Sequence, residues 1–253
     1  MAVIGIMSAM HEELAAVLAE MPDERRVTVA GRDFWVGHWQ GHSVVAVLSR
    51  IGKVAAATTA TVLLERFQVD TMVFTGVAGG LGLGVRVGDV VVASGFVQHD
   101  MDASPLFARH EVPLYGRACF DAHASLSAQL AKASAQVLHA AERHLSRETL
   151  TQFQLSAPRV HQGLVISGDR FVSTNAESHA LRLALPEALA VEMEGAAVAQ
   201  VCHDYQVPFA AVRTISDRAD DTAHADFNRF IREVASRYSL AILSQWLADR
   251  QPG

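Results

Sequence analysis

Cysteine is scarce in these 253 residues, and the two present, Cys119 and Cys202, lie far apart. They lack the paired spacing of a zinc site and argue against a disulfide framework, so they read as the reduced thiols of a cytoplasmic protein. Aromatic residues are also few, at 7 %, and none alternate with basic ones in the manner of a base-stacking strand binder. Charge is sparse (19 %), slightly acidic (net −6) and of mixed sign, so neither a basic stripe for nucleic acid nor a charged tail is present. No apolar run approaches the ~18 residues of a membrane span, and no basic stretch precedes the first apolar run as in a signal peptide. The expected partner is therefore a small molecule, with no nucleic acid and no membrane.

What the chain does have is apolar content, 50 %, and a regular alternation of strand-like and helix-like segments. Strands are predicted at 3–7, 26–29, 34–38, 44–48, 71–74, 90–93, 160–166, 189–193 and 209–215. Gly31-Arg32 and Gly41-His42 supply turns between the second, third and fourth. Helices are predicted at 12–18, 53–67, 124–145, 176–185 and 195–205. A last helix follows from the spacing of Phe227, Phe230, Ile231, Val234, Tyr238, Ile242 and Trp246. Residues 99–118 read as a long irregular segment, of the kind usually functional or interfacial. The alternation implies a single α/β domain over residues 1–253, with helices on both faces of a large sheet.

Against that background the run Val191-Glu192-Met193-Glu194 stands out, because a buried ionised carboxylate is costly unless compensated. Glu12 and Glu13 follow the first strand, and Asp217 follows the strand 209–215. Each has a plain alternative: an acidic first helical turn for Glu13, an N-cap for Ser216-Asp217, a capped strand end for Glu194. Yet Glu13, Glu194 and Asp217 would meet at one edge of the sheet, where open α/β folds place their ligands. The segment Gly76-Val77-Ala78-Gly79-Gly80-Leu81-Gly82 lacks G-x-G-x-x-G spacing, and 85–90 reads as strand rather than helix, so a dinucleotide loop is rejected. Gly79 and Gly80 either let a ligand approach the backbone or form a wide turn or bulge. His99-Asp100-Met101-Asp102 offers one imidazole without further ligands, and reads as a polar cluster near a subunit contact rather than a metal site. No histidine is assigned a catalytic task.

Taken together the motifs resemble the 5′-methylthioadenosine/S-adenosylhomocysteine nucleosidases of the nucleoside phosphorylase superfamily. The resemblance is carried by Ile4-Gly5-Ile6, Ala9-Met10-x-Glu12-Glu13, Gly52-Lys53-Val54-Ala55-Ala56-Ala57, Thr75-Gly76-x-Ala78-Gly79-Gly80 and Gly88-Asp89-Val90-Val91. It continues in His99-Asp100-x-Asp102, Ser167-Gly168-Asp169-x-Phe171, Val191-Glu192-Met193-Glu194 and Arg213-x-Ile215-Ser216-Asp217. It is weakest between 103 and 158. It implies a three-layer α/β/α domain with a central mixed, twisted sheet, a homodimer, and hydrolysis without metal or cofactor. By resemblance Glu13 is the base on the attacking water, Glu194 binds the ribose hydroxyls, Met193 packs on the sugar and Asp217 protonates adenine N7. Arg213 lies near the water and Glu194. Phe171 stacks on the purine, which the Val172 backbone recognises, with Val77, Ala78, Gly79 and Ser216 in the binding wall. Met10, Ile51 and Phe227 line the 5′ pocket, and the partner's Phe107 closes it.

Two departures bear on function. Val77 stands where many members carry a serine near the water, and valine neither donates nor accepts a hydrogen bond. Residues 104–113 are unlike the better-known members, which leaves the 5′ group open. The alternatives are a hydrolase of a related nucleoside (aminodeoxyfutalosine or 5′-deoxyadenosine), a phosphorolytic purine nucleoside phosphorylase, and a non-catalytic nucleoside-binding protein. Glu12 and Glu13 beside the first strand disfavour phosphate by repulsion, and a mere binder has no need of a base on water.

Overall fold

The computed structural model describes residues 2–220 and 227–251. Among these residues ten strands are present: β1 (Val3–Ser8), β2 (Arg25–Val29), β3 (Arg32–Trp39), β4 (His42–Leu48), β5 (Thr71–Gly80), β6 (Val90–Gln98), β7 (Cys119–Asp121), β8 (Val160–Ser167), β9 (Ala188–Glu192) and β10 (Phe209–Asp217). The helices are α1 (His11–Ala19), α2 (Lys53–Phe67), α3 (Ala124–His139), α4 (Arg147–Gln152), α5 (Asn175–Ala184), α6 (Gly195–Tyr205), α7 (Phe227–Phe230) and α8 (Ser236–Ala248), with a π-helical turn at Ile231–Ala235 joining the last two.

The two hairpins β2–β3 and β3–β4 turn at Ala30-Gly31 and Gln40-Gly41, with φ of 50° and 70°, and 50° and 81°. Positive φ at both central residues is the turn whose twist matches paired strands, hence the glycines. In β5, Met72, Val73 and Phe74 are all buried, because helices cover both faces of the sheet. One core lies between the sheet and α1, α3 and α8, and a second between its other face and α2 and α6. The expected α/β/α layering with a mixed sheet is what the chain forms.

The sheet also closes on itself. β5 pairs with β10, β10 with β6, β6 with β8, β8 with β9, and β9 back with β5, giving a ring of five strands from which β1, β4, β3 and β2 extend. Several sequence expectations change accordingly. The glycine-rich segment is no loop up to Gly80, since β5 runs through it; residues 85–89, predicted as strand, form turns. β6 extends to Gln98, where it can reach β7 and β8. The predicted helix 124–145 stops at His139, and neither β7 nor α4 was foreseen. Ser216 and Asp217 end β10 rather than cap a helix.

Candidate active site

β1 and β10 flank β5 on opposite edges, opposite Met7 and Ala211 at Phe74. β1 stops pairing at Thr75, and β9 takes over the same edge only at Gly79 and Gly80. The edge therefore forks, and the cavity lies in the fork. Ala9 and Met10 from the end of β1, Val77–Gly79 from β5 and Val191–Glu194 from the end of β9 line a space of about 160 Å³, suited to a small molecule rather than a polymer. Gly79 is the convergence point, paired with Asp217 on one side and Val191 on the other. A Cβ there would stand 2.9 Å from Ala219 Cβ and 3.0 Å from Asp217 Oδ1. Close approach of strands, not a wide turn, is what that glycine serves.

The two glutamates at the β9–α6 junction divide sharply. Glu192 is saturated: Ser167 Oγ donates to Oε1, Gly195 N reaches both oxygens (3.0 and 2.9 Å), and Glu194 N (3.2 Å) and Arg213 Nη2 (2.9 Å) donate to Oε2. It anchors the N-terminus of α6, where helical amides favour an anion. Glu194 accepts the Gly52 amide (2.9 Å) and, with fewer donors around it than Glu192, keeps capacity for a ligand. Burial, reinforced by the neighbouring Glu192, pushes its carboxyl up to about 7, against the pull of the Gly52 amide and Arg213.

Asp217 is buried at the opposite lip. Its Oδ1 accepts Ala219 N and its Oδ2 accepts Ser216 Oγ, both at 2.7 Å, which orients the carboxyl into the cavity wall. Arg213, from the same strand, does not line the cavity. Its guanidinium sits 4.1 Å above the Phe74 ring and donates to Phe74 O (3.0 Å) as well as to Glu192.

Glu13 lies one layer behind the Ala9-Met10 wall and is 0 % exposed. Oε2 accepts Met10 N (3.2 Å) and Oε1 accepts Ser239 Oγ (2.8 Å). Burial raises its pKa, while Ser239, then Arg213 and the Met10 and Ala9 amides, lower it.

The remaining expected residues fall on the cavity's apolar side. Phe171 is 40 % exposed, with its ring edge-on to Phe227 at 6.0 Å, a half-open face suited to stacking. Met10, Ile51, Val172, Met193 and Ser216 line the same space, as do Val77 and Ala78. Phe107 does not line the cavity of its own chain. Sequence reasoning missed Arg170, which lines the mouth and pairs with Glu177, and Ser239, which no periodicity marked. The His99–Asp102 stretch is structural at Asp100: Oδ1 holds Lys53 Nζ and Oδ2 accepts Asp169 N (2.9 Å), while Asp169 Oδ1 accepts Lys53 N (2.7 Å). This clamp ties the start of α2, and so Gly52, to the loop carrying Phe171. Among the described residues no cluster of His, Cys, Asp or Glu is arranged to hold a metal.

Residues 3–247 match the model of the phosphorylase superfamily. The chain is similar to the 5′-methylthioadenosine/S-adenosylhomocysteine nucleosidase of Marinomonas sp. (strain MWYL1), with 38 % identity over 243 residues, covering 96 % of this chain and 97 % of that relative. Among solved structures, the Neisseria meningitidis nucleosidase of the same kind, in complex with methylthio-immucillin-A, superposes with a TM-score of 0.85 at 31 % identity, covering 99 % of this chain and 100 % of that one. The futalosine hydrolase of Helicobacter pylori gives 0.83 at 30 % identity, with 98 % of each chain covered.

Proposed function

The chain belongs to the phosphorylase superfamily, within its 5′-methylthioadenosine/S-adenosylhomocysteine nucleosidase family, and from that membership we propose how its cavity works. It is an N-glycosyl hydrolase that releases adenine from 5′-thio-substituted adenine nucleosides. Water oxygen joins C1′ as the C1′–N9 bond breaks, and the electron pair leaves with adenine. Asp217 gives a proton to N7, and Glu13 takes one from the water. Such acid and base help is worth typically ~10²–10⁴-fold each. Glu194 holds the ribose hydroxyls and, ionised there, favours the cationic sugar, while Met193 packs on its face. Phe171 stacks on the purine beside the Val172 backbone.

One observation carries this reading. The fork at Gly79 sets Asp217 and Glu194 in the wall of one small cavity, an arrangement that supports an acid for the base and a carboxylate for the sugar within reach of one nucleoside. With the Val77 side chain offering no hydrogen bond, placement of the water falls to Glu13 and backbone, with Arg213 acting from behind the cavity wall. Asp217→Asn should reduce adenine release at least ~10²-fold; a near wild-type rate refutes the acid assignment. Release should also be independent of phosphate.

A second substrate reading has its own support. The similarity to a futalosine hydrolase, together with the divergent segment 104–113, favours testing aminodeoxyfutalosine beside methylthioadenosine, adenosylhomocysteine and 5′-deoxyadenosine. The reading includes a cytoplasmic homodimer acting through one catalytic domain. Free Cys119 and Cys202 fit a reducing compartment. Exposed Val54, Leu106 and Leu114, with Ile51 at 68 % exposure on the cavity rim, fit a partner subunit whose apposition would bring the partner's Phe107 to the 5′ pocket.

A further inference from the structure

Serines inside helices usually return their hydroxyl to the carbonyl four residues back. Ser236 does so, to Arg232 O at 2.9 Å. Ser239, three residues later on α8 and equally buried, does not: it donates instead to Glu13 Oε1, across 226 positions of sequence. It is the one side chain among the described residues that hydrogen-bonds this carboxylate.

The backbone is built to aim it. Phe227 lines the cavity and Ser239 lies twelve positions further along a continuous helix. At 3.6 residues per turn, twelve positions would set the two about 120° apart. The π-helical turn at Ile231–Ala235 absorbs one extra residue, so the separation falls to that of eleven positions, about 20°. The same turn thus lets one helix present Phe227 to the cavity and Ser239 to the acid behind it.

We propose that Ser239 is the positioning residue of the hydrolytic base, fixing the Glu13 carboxylate in place and holding it ready to take a proton from water. The proposal rests on Glu13 being that base. A hydroxyl suits the task because it stabilises the ionised form in a dry site without pairing it to a full charge. The charged side chain acting on Glu13 is Arg213, from β10; the β1–α1 turn contributes the Met10 and Ala9 amides, and α8 contributes Ser239. Ser239 does not line the cavity, so its loss should spare substrate binding.

The test is the pH dependence of adenine release from methylthioadenosine by the wild type, Ser239→Ala, Ser239→Thr and Glu13→Gln. Removing the hydroxyl raises the Glu13 pKa further, so the acidic limb of kcat should move to higher pH by about one unit. KM should stay near the wild-type value, and Ser239→Thr should bring the limb back. An unmoved limb with wild-type kcat in Ser239→Ala overturns the proposal, as does a limb that Ser239→Thr fails to restore. If Ser239→Ala does not fold, Ser239→Cys, a weaker donor of similar size, should show a smaller shift in the same direction, and no shift is again a refutation. Glu13→Gln separates the two claims: if it keeps near wild-type activity, the base assignment itself fails.

Discussion

Replacing Glu194 by Gln removes one buried negative charge while leaving an oxygen to accept the Gly52 amide, at 2.9 Å in the wild type. The carboxyl ionises near its ordinary 4.5 in the unfolded chain and at about 7 in the folded one. Below 4.5 both states hold the proton, and the residue has no effect on stability. Between 4.5 and 7 the unfolded state has released it and the native state has not, so wild-type stability falls as pH rises. Above 7 the full cost remains. At 1.36 kcal/mol per unit, the interval sets a ceiling of about 3 kcal/mol. Glutamine does not titrate, so Glu194→Gln should match the wild type near pH 4.5 and exceed it by up to about 3 kcal/mol at pH 8.

Urea unfolding of the ligand-free protein at several pH values measures this directly, since a change in midpoint at constant slope reports stability. The difference between variant and wild type should open over the pH 4.5–7 window and then level off. Parallel curves would refute the claim that burial and Glu192 hold this carboxyl protonated. Adenine release should move the opposite way, because the cationic sugar loses its carboxylate. A more stable and less active variant is the expected signature of a group kept for chemistry at the fold's expense.

Two other substitutions probe the frame around the site. Gly79→Ala drives a methyl to within 3.0 Å of both Ala219 Cβ and Asp217 Oδ1; it should cost about 1–3 kcal/mol in urea unfolding and, by displacing the acid, roughly 10²-fold in kcat. Arg213→Met leaves Glu192 buried without its cation and should destabilise by about 3–5 kcal/mol, while Arg213→Met with Glu192→Gln should be less destabilised than the single change.

Much of the local structure was legible in the chain. Apolar runs located most strands, and the small-residue helices α2 and α6 were read to the residue; in the structure each stops at a glutamine in the left-handed conformation, Gln68 and Gln206. The acids were legible too, since carboxylates beside apolar strands are costly enough to need a reason. What failed was whatever depends on pairing between distant strands. Nothing local in Gly76–Gly80 says that β1 leaves one edge of β5 and β9 joins it, so a strand that forks looked like a loop.

The same limit explains why the acids did not arrange themselves as a simple trio at one edge. A strand end places a side chain along the sheet, but which layer it occupies depends on what packs over it. Glu13 belongs to the first turn of α1, and α8 closes over that turn, so the carboxylate is sealed behind Met10 with Ser239 against it. Glu194 follows the end of β9 and Asp217 ends β10; these strands flank β5 on either side of Gly79, and both acids line the cavity in the fork. All three acids are buried, but for topological reasons only Glu194 and Asp217 line the cavity. Burial pushes both carboxyls up: at Glu13 the Ser239 hydroxyl, Arg213 and the Met10 and Ala9 amides oppose it, whereas Glu194, beside Glu192, rises to about 7. Residue type announced that acids were to be used; only the pairing of β5 with three partners decides which of them faces the ligand and which waits behind the wall.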